Sequence, residues 1–160
     1  DVSLVGSEMC IRDSYESVLW IFDRLVIVVA FGGMLVRIGN FFNSEIVGNY
    51  TNSNFGVIFL NRSENLPRHP AQLYESFGYL ILFIILYTLY HKTKLRDKKG
   101  FFFGFFLIFL FGVRFVVEYV KESQGGIENY LGLLTTGQWL SIPFMLIGLI
   151  ILLRSNLKNI

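Results

Sequence analysis

The sequence predicts an all-α fold, a polytopic bundle of transmembrane helices, and three observations predict it. Of 160 residues, 53% are hydrophobic and only 16% are charged, where a soluble domain carries about 25% charge. The mean hydropathy is +0.53. Four apolar stretches approach the roughly 20 residues that cross a hydrocarbon core of about 30 Å. They are continuous runs rather than alternating segments of about ten residues, which selects helices over a transmembrane β-barrel. One membrane domain then uses the chain, with no room for a separate soluble one. The net charge of +2 is too small to point to nucleic acid as a partner. The single cysteine, Cys10, excludes an internal disulfide and leaves the redox compartment open.

Residues 1–14, DVSLVGSEMCIRDS, lack the charged start, apolar middle and small-residue cleavage site of a signal peptide. They differ in composition from the rest of the chain and are expected to be an unrelated or disordered segment outside a membrane domain of residues 15–160. The first helix is expected at about 18–36, interrupted early by Asp23 and Arg24 and closing on Gly32, Gly33 and Arg37. The second, about 73–90, has the apolar core YLILFIILYTLY, with nothing more polar than Thr88. The third, 101–120, contains Arg114 and Glu118. The fourth, about 138–153, carries Pro143 in its first turns, where proline is tolerated best.

Orientation follows from the loop HKTKLRDKKG at 91–100, which holds five of the fourteen Lys and Arg residues against one acid, Asp97. Basic loops stay cytoplasmic, and the tail with Arg154 and Lys158 falls on the same side. Residues 38–72 and 121–136 then face outward. The first of these is an insertion of more than thirty residues, and connections of that length are usually functional or disordered.

Three polar clusters stand out. RIGNFFNSEIVG, residues 37–48, places Arg37, Asn40, Asn43 and Glu45 at the depth of lipid headgroups. The planar guanidinium of Arg37 matches a phosphate; the two Asn side chains suit glycerol hydroxyls, and Gly39 and Gly48 permit close backbone approach. An ordinary helix end with a snorkelling Arg accounts for the same residues. PRHPAQLYE, residues 67–75, presents His69 from a stiff Pro-flanked segment, and His is the side chain best suited to accept a proton near neutral pH; Gln72, Tyr74 and Glu75 continue the polar group. A rigid helix start is the plainer account. Arg114 and Glu118, four residues apart, share one helix face. On the insertion scale two central charges cost about 5 to 7 kcal/mol, against roughly 4 to 9 kcal/mol offset by the fifteen Leu, Ile, Phe and Val residues of 101–120. The segment is close to neutral by itself, so the charges are expected to be buried against other helices or a polar cavity, either as a functional pair or as a structural ion pair. The start of the fourth helix, GQWLSIP, adds Trp139 as an interfacial anchor and Gln138 within reach of the same site.

Taken in order, RIGNFFNSEIVG, PRHPAQLYE, RFVVEYVKE and GQWLSIP resemble the prolipoprotein diacylglyceryl transferase family of bacterial inner membranes, over about residues 20–153. The resemblance implies an enzyme that moves the diacylglyceryl group of phosphatidylglycerol to the lipobox cysteine of a prolipoprotein signal peptide and releases glycerol phosphate, with no metal or organic cofactor. It implies catalytic roles for Arg37, His69, Arg114 and Glu118, and substrate contacts for Arg37, Asn40, Asn43, Glu45, Gly48, Gln72, Tyr74 and Gln138. The partners implied are phosphatidylglycerol, the signal peptides and membrane lipids, with the active side periplasmic. Two positions depart from the family pattern: Val36 stands where a Gly usually precedes the Arg, and Leu110 where a Tyr is common. Family members have about seven helices and an HGG motif upstream. Here four helices are expected, and the histidines are His69 and His91. The chain is thus expected to be the C-terminal part of such an enzyme and inactive alone. Two other classes remain: a transporter or channel fragment, and a non-catalytic lipid-binding membrane subunit.

Overall fold

A computed structural model describes residues 2–63, 65–122 and 134–157, with side chains from residue 18 to residue 155 of those ranges. Helix α1 is Val2–Phe42, α2 is Ala71–Lys92, α3 is Phe101–Val117 and α4 is Thr136–Leu157. A 3-10 turn, Glu118–Val120, extends α3. The segments Val18–Phe42, Ala71–Lys92, Phe101–Val120 and Thr136–Ser155 are each long and apolar enough to cross a membrane. At 1.5 Å per residue the 22 residues of α2 cover roughly 33 Å, the thickness of the hydrocarbon core. Among the described residues there is no strand, only isolated bridges. The fold is therefore the polytopic helical bundle expected from the apolar runs. Residues 123–133 of the expected outer loop lie outside the described set.

The bundle is built from two close pairs, α1 on α2 and α3 on α4, with α3 also packed on α1 and α2. Glycine makes the α3/α4 approach possible. A Cβ on Gly104 would lie 2.8 Å from the Gly148 carbonyl oxygen, and one on Gly148 would lie 2.9 Å from that of Gly104. Small residues at such crossings let backbones touch where no hydrophobic effect separates lipid from protein. Val26, Ala30, Leu82, Leu86, Phe102, Phe106 and Leu107 fill the centre. Outside them, Leu25, Val28, Leu35 and Val36 of α1 remain exposed, which suits a lipid-facing surface.

Asp23, which breaks the first apolar run, is 3% exposed and caps a neighbouring helix. Its Oδ2 accepts from the Gly100 amide at 2.6 Å and its Oδ1 from the Phe103 amide at 2.9 Å, satisfying donors that α3 cannot bond within itself. Arg24 turns outward and lays its guanidinium 3.5 Å over the Trp20 ring. Gly100 sits at φ +85°, a conformation open to glycine at little strain, and so turns the basic loop into α3.

Several boundaries differ from expectation. Helix α1 begins at Val2, sixteen residues before the expected start, so residues 2–14 continue that helix and are not a disordered segment. Helix α1 continues to Phe42, six residues past the expected end at Val36, so Arg37 and Asn40 lie on its last turns. Gly39 does not end it: the Asn43 amide still reaches the Gly39 carbonyl at 3.0 Å. Helix α4 begins at Thr136, which places Pro143 about two turns inside. There its missing N–H removes the donor for the Trp139 carbonyl.

Candidate functional site

Helix α2 turns one stripe inward, and that stripe changes character along its length. Gln72, Glu75, Ser76 and Tyr79 are buried in its first half, Leu82 and Leu86 in its second. The polar half meets the end of α1. Arg37 Nε donates to Glu75 Oε2 at 2.6 Å, with Glu75 only 1% exposed. The Tyr79 hydroxyl lies close to Arg37, and the Ser76 hydroxyl donates to the Met34 carbonyl at 3.2 Å. From the far side Lys121 brings its Nζ to 3.7 Å from Glu75 Oε1 and 3.5 Å from Glu118 Oε2. Arg114 lies on the preceding turn of α3, within Coulombic range of the Tyr79 hydroxyl. Among the described residues Arg37 and Lys121 face Glu75 and Glu118, and Arg114 adds a third cation nearby that pairs with neither carboxylate. The Arg114 Nε is buried without a hydrogen-bond partner among the described residues, as is Gln72 Oε1. Arg114 Nε is the one orphaned donor among these site atoms, and an anion seated there supplies its partner; Gln72 Oε1, Glu75 Oε1 and Glu118 Oε2 are acceptors and call for a donor instead.

Three straps hold this end together. The Gly48 amide donates to the His69 carbonyl at 2.9 Å, the Asn49 amide to the Val120 carbonyl at 2.8 Å, and the Glu122 amide to the Val47 carbonyl at 3.2 Å. Gly48 lies where they meet: a Cβ there would sit 2.6 Å from both the Cβ and the carbonyl oxygen of His69 and 2.7 Å from the Val120 oxygen. Arg68 pins the insertion from inside. Its buried guanidinium donates to the Gly48 carbonyl at 3.2 Å, pairs with Glu122 at 3.0 Å and stacks 3.8 Å over the Tyr50 ring.

The sequence-derived candidates fall into three groups. Arg37, Arg114, Glu118 and Gln72 converge on the buried cluster, where Gln72 Nε2 also donates to the Glu45 carbonyl at 2.6 Å. His69 and Tyr74 lie beside it, joined by a 3.3 Å contact from Nδ1 to the hydroxyl, and Gly48 ties the straps. Asn40 is half-buried, while Asn43 and Glu45 are exposed. The spacing of Arg114 and Glu118 does not produce an ion pair among the described residues. The chain tightens to a 3-10 turn at Glu118, whose carboxylate pairs with Lys121 instead; a Cβ on Gly137 would run into it. Gln138 is buried in a reciprocal cap with Thr135: its Oε1 accepts from the Thr135 amide at 3.1 Å, and its own amide donates to Thr135 Oγ1 at 3.3 Å. Its Nε2 donates to the Phe115 carbonyl at 3.4 Å. Tyr79, Lys121 and Arg68 are site residues that sequence reasoning did not single out, and Glu75 was read only as part of the polar group of 67–75. The signal was present in the spacing of Gln72, Glu75 and Tyr79 on one face of α2, and of Glu118 and Lys121. Among the described residues no cluster of three His, Cys, Asp or Glu could hold a metal ion.

Fold and site together define a class: a multi-pass membrane protein with a buried, cation-rich site at one end of its bundle. The family model for prolipoprotein diacylglyceryl transferase matches residues 3–154, and the chain belongs to that family. Proteins named phosphatidylglycerol--prolipoprotein diacylglyceryl transferase are similar to it. The one from Tolumonas auensis is 47% identical over 137 residues, covering 86% of this chain and 52% of the relative. That from Chlamydia trachomatis is 42% identical over 143 residues, covering 89% and 53%, and that from Chloroherpeton thalassium 39% over 140 residues, covering 88% and 52%. The chain spans about half the length of the curated relatives it matches. No solved structure matches it.

Proposed function

We propose that this chain supplies the phosphate-holding part of a site that transfers the diacylglyceryl group of phosphatidylglycerol to the lipobox cysteine of a prolipoprotein signal peptide. The observation that carries the reading is the third cation beside the Arg37–Glu75 and Lys121–Glu118 pairs, Arg114, whose buried Nε has no partner among the described residues. A phosphodiester is the anion that a membrane presents at this depth, and Arg forks onto it in two directions.

In the proposed reaction the cysteine thiolate attacks the glycerol carbon that bears the phosphate ester. The carbon–sulfur bond forms, the carbon–oxygen bond breaks, and glycerol phosphate leaves with the electron pair. Arg37 and Arg114 stabilise the charge that grows on the departing phosphate. The thiol proton goes to a base. Of this chain's residues His69 is suited to take it, held between prolines and hydrogen-bonded to Tyr74. His91 lies at the opposite end of α2. Asn43 and Glu45, both exposed, and Asn40, half-buried, would hold the glycerol moiety at the headgroup layer. The basic loop at 91–100 supports a cytoplasmic-membrane location with the cluster on the periplasmic side. A transporter path is less well supported, because α2 buries only Leu82 and Leu86 beyond Tyr79, which gives no continuous polar track.

The test replaces, in the full-length Tolumonas auensis relative, the arginines aligned with Arg37 and Arg114. Loss of transfer from labelled phosphatidylglycerol to a lipobox peptide, with the protein still folded and inserted, supports the reading; unaltered transfer overturns it. The 160-residue chain is expected to bind phosphatidylglycerol and to complete no transfer. Thioether formation by this chain alone would overturn that second expectation.

A further inference from the structure

We propose that Glu75 is the positioning residue of this site, fixing the guanidinium of Arg37 and the ammonium of Lys121 toward one phosphate; the inference rests on the proposed role of the cluster as a phosphate holder. A carboxylate is a poor neighbour for a phosphate, since like charges repel strongly where the dielectric is low. Yet Glu75 is 1% exposed and sits between two of the site's cations. Its geometry gives it a use. Oε2 takes Arg37 Nε at 2.6 Å, which occupies the inner edge of the guanidinium and leaves the end carrying Nη1 and Nη2 for a bidentate contact. Oε1 faces Lys121 Nζ at 3.7 Å and makes no hydrogen bond. That ammonium stands slightly nearer to Glu118, at 3.5 Å. Lys121 is 8% exposed and is drawn by two carboxylates with neither at hydrogen-bond length, so its protons remain available to a phosphate oxygen.

Glu75 therefore ties the end of α1 to the residues after α3 through one rigid point on α2. The two roles a buried carboxylate could play have opposite signatures. Acting by charge alone, it weakens anion binding, and its removal tightens phosphatidylglycerol. Acting through Arg37 and Lys121, it aims them, and its removal or displacement loosens phosphatidylglycerol.

The experiment uses the full chain in maltoside micelles, with dioctanoyl phosphatidylglycerol as probe and dioctanoyl phosphatidylcholine as control. On the native chain, nitrogen-15 NMR should show one arginine Nε–H signal, absent from Arg37→Lys, that is slow to exchange and stays in place on titration with phosphatidylglycerol while Nη signals shift. A fast-exchanging signal, or one displaced by the lipid, overturns the proposal without any Glu75 variant needing to fold. Among variants, Glu75→Asp keeps the buried charge and retracts the carboxylate. Both it and Glu75→Gln should weaken phosphatidylglycerol about tenfold, within the range that coupled neighbours show, and by less than about twofold when Arg37 is already Ala. Native affinity in Glu75→Asp, tighter binding in Glu75→Gln, or an equal effect in both backgrounds overturns the positioning role. The parent reading fails separately, if the native chain prefers phosphatidylglycerol no more than phosphatidylcholine or if Arg37→Ala binds it as well as the native chain.

Discussion

Replacing Gly48 with alanine tests whether the three straps set the geometry of the site. The added methyl would start 2.6 Å from the Cβ and carbonyl oxygen of His69 and 2.7 Å from the Val120 oxygen, where ordinary contact begins at 3.4 Å. Two of the three obstacles are backbone atoms that no rotamer change can move, so the straps must part by about 0.8 Å, the difference between those distances. Overpacking of this kind costs about 1 to 3 kcal/mol, or roughly 2 to 12 °C in Tm for a chain of this size. A displacement near 1 Å at a reacting centre costs about 100-fold. The assay is thermal unfolding in maltoside micelles with and without short-chain phosphatidylglycerol. At a lipid concentration of about 100 Kd the native chain gains about 2.7 kcal/mol; a 100-fold weaker variant gains only about 0.4 kcal/mol. Gly48→Ala should therefore lose both baseline stability and most of the lipid-induced gain. A native Tm would refute the packing argument, and a full lipid-induced gain would refute the claim that the straps position the site.

Arg114→Met should separate stability from binding: removing a buried, unpartnered Nε raises the lipid-free stability by about 1 kcal/mol or more, while the lipid-induced gain falls. Loss of stability in that variant would show that Arg114 is held by the fold itself. Asp23→Ala strips two short bonds from the start of α3 and should cost about 2 to 4 kcal/mol in unfolding by rising SDS fraction, with Asp23→Asn intermediate. At the α3/α4 crossing Gly104→Val meets Gly148 and Leu152 backbone within 3.0 Å and should cost about 2 kcal/mol or more, whereas Gly112→Ala, with nothing within 4 Å, should be neutral. The same unfolding series reads both.

The helices were legible because a membrane makes apolar length decisive: the core YLILFIILYTLY has no other good use. The last turns of α1 were less legible. Arg37, Gly39 and Asn40 read as a helix end, yet in α1 they continue the ladder because Arg37 finds Glu75 on the next helix. Arg37 and Arg114 were recognisable as charges in apolar surroundings. Their partners were not, because spacing along one helix is local information and the choice among neighbouring helices is tertiary. Arg114 and Glu118 have the spacing of an ion pair, but the 3-10 turn at Glu118 carries that carboxylate to Lys121. Gln138 is a different case. The run Thr135, Thr136, Gly137, Gln138 is the signature of a reciprocal helix cap, and its meaning was available in the residue order alone.

The central claim is that Arg37 and Arg114 together hold one phosphate. It is tested most directly by solid-state NMR on the full chain in bilayers containing phosphatidylglycerol, measuring carbon-13 to phosphorus-31 dipolar couplings from labelled arginine Cζ. Two arginine carbons should lie about 4 Å from a lipid phosphorus, the separation that direct hydrogen bonding imposes, and one of the two couplings should disappear in each of Arg37→Lys and Arg114→Lys. Couplings that survive both substitutions, or the absence of any short arginine–phosphorus distance, would contradict the claim.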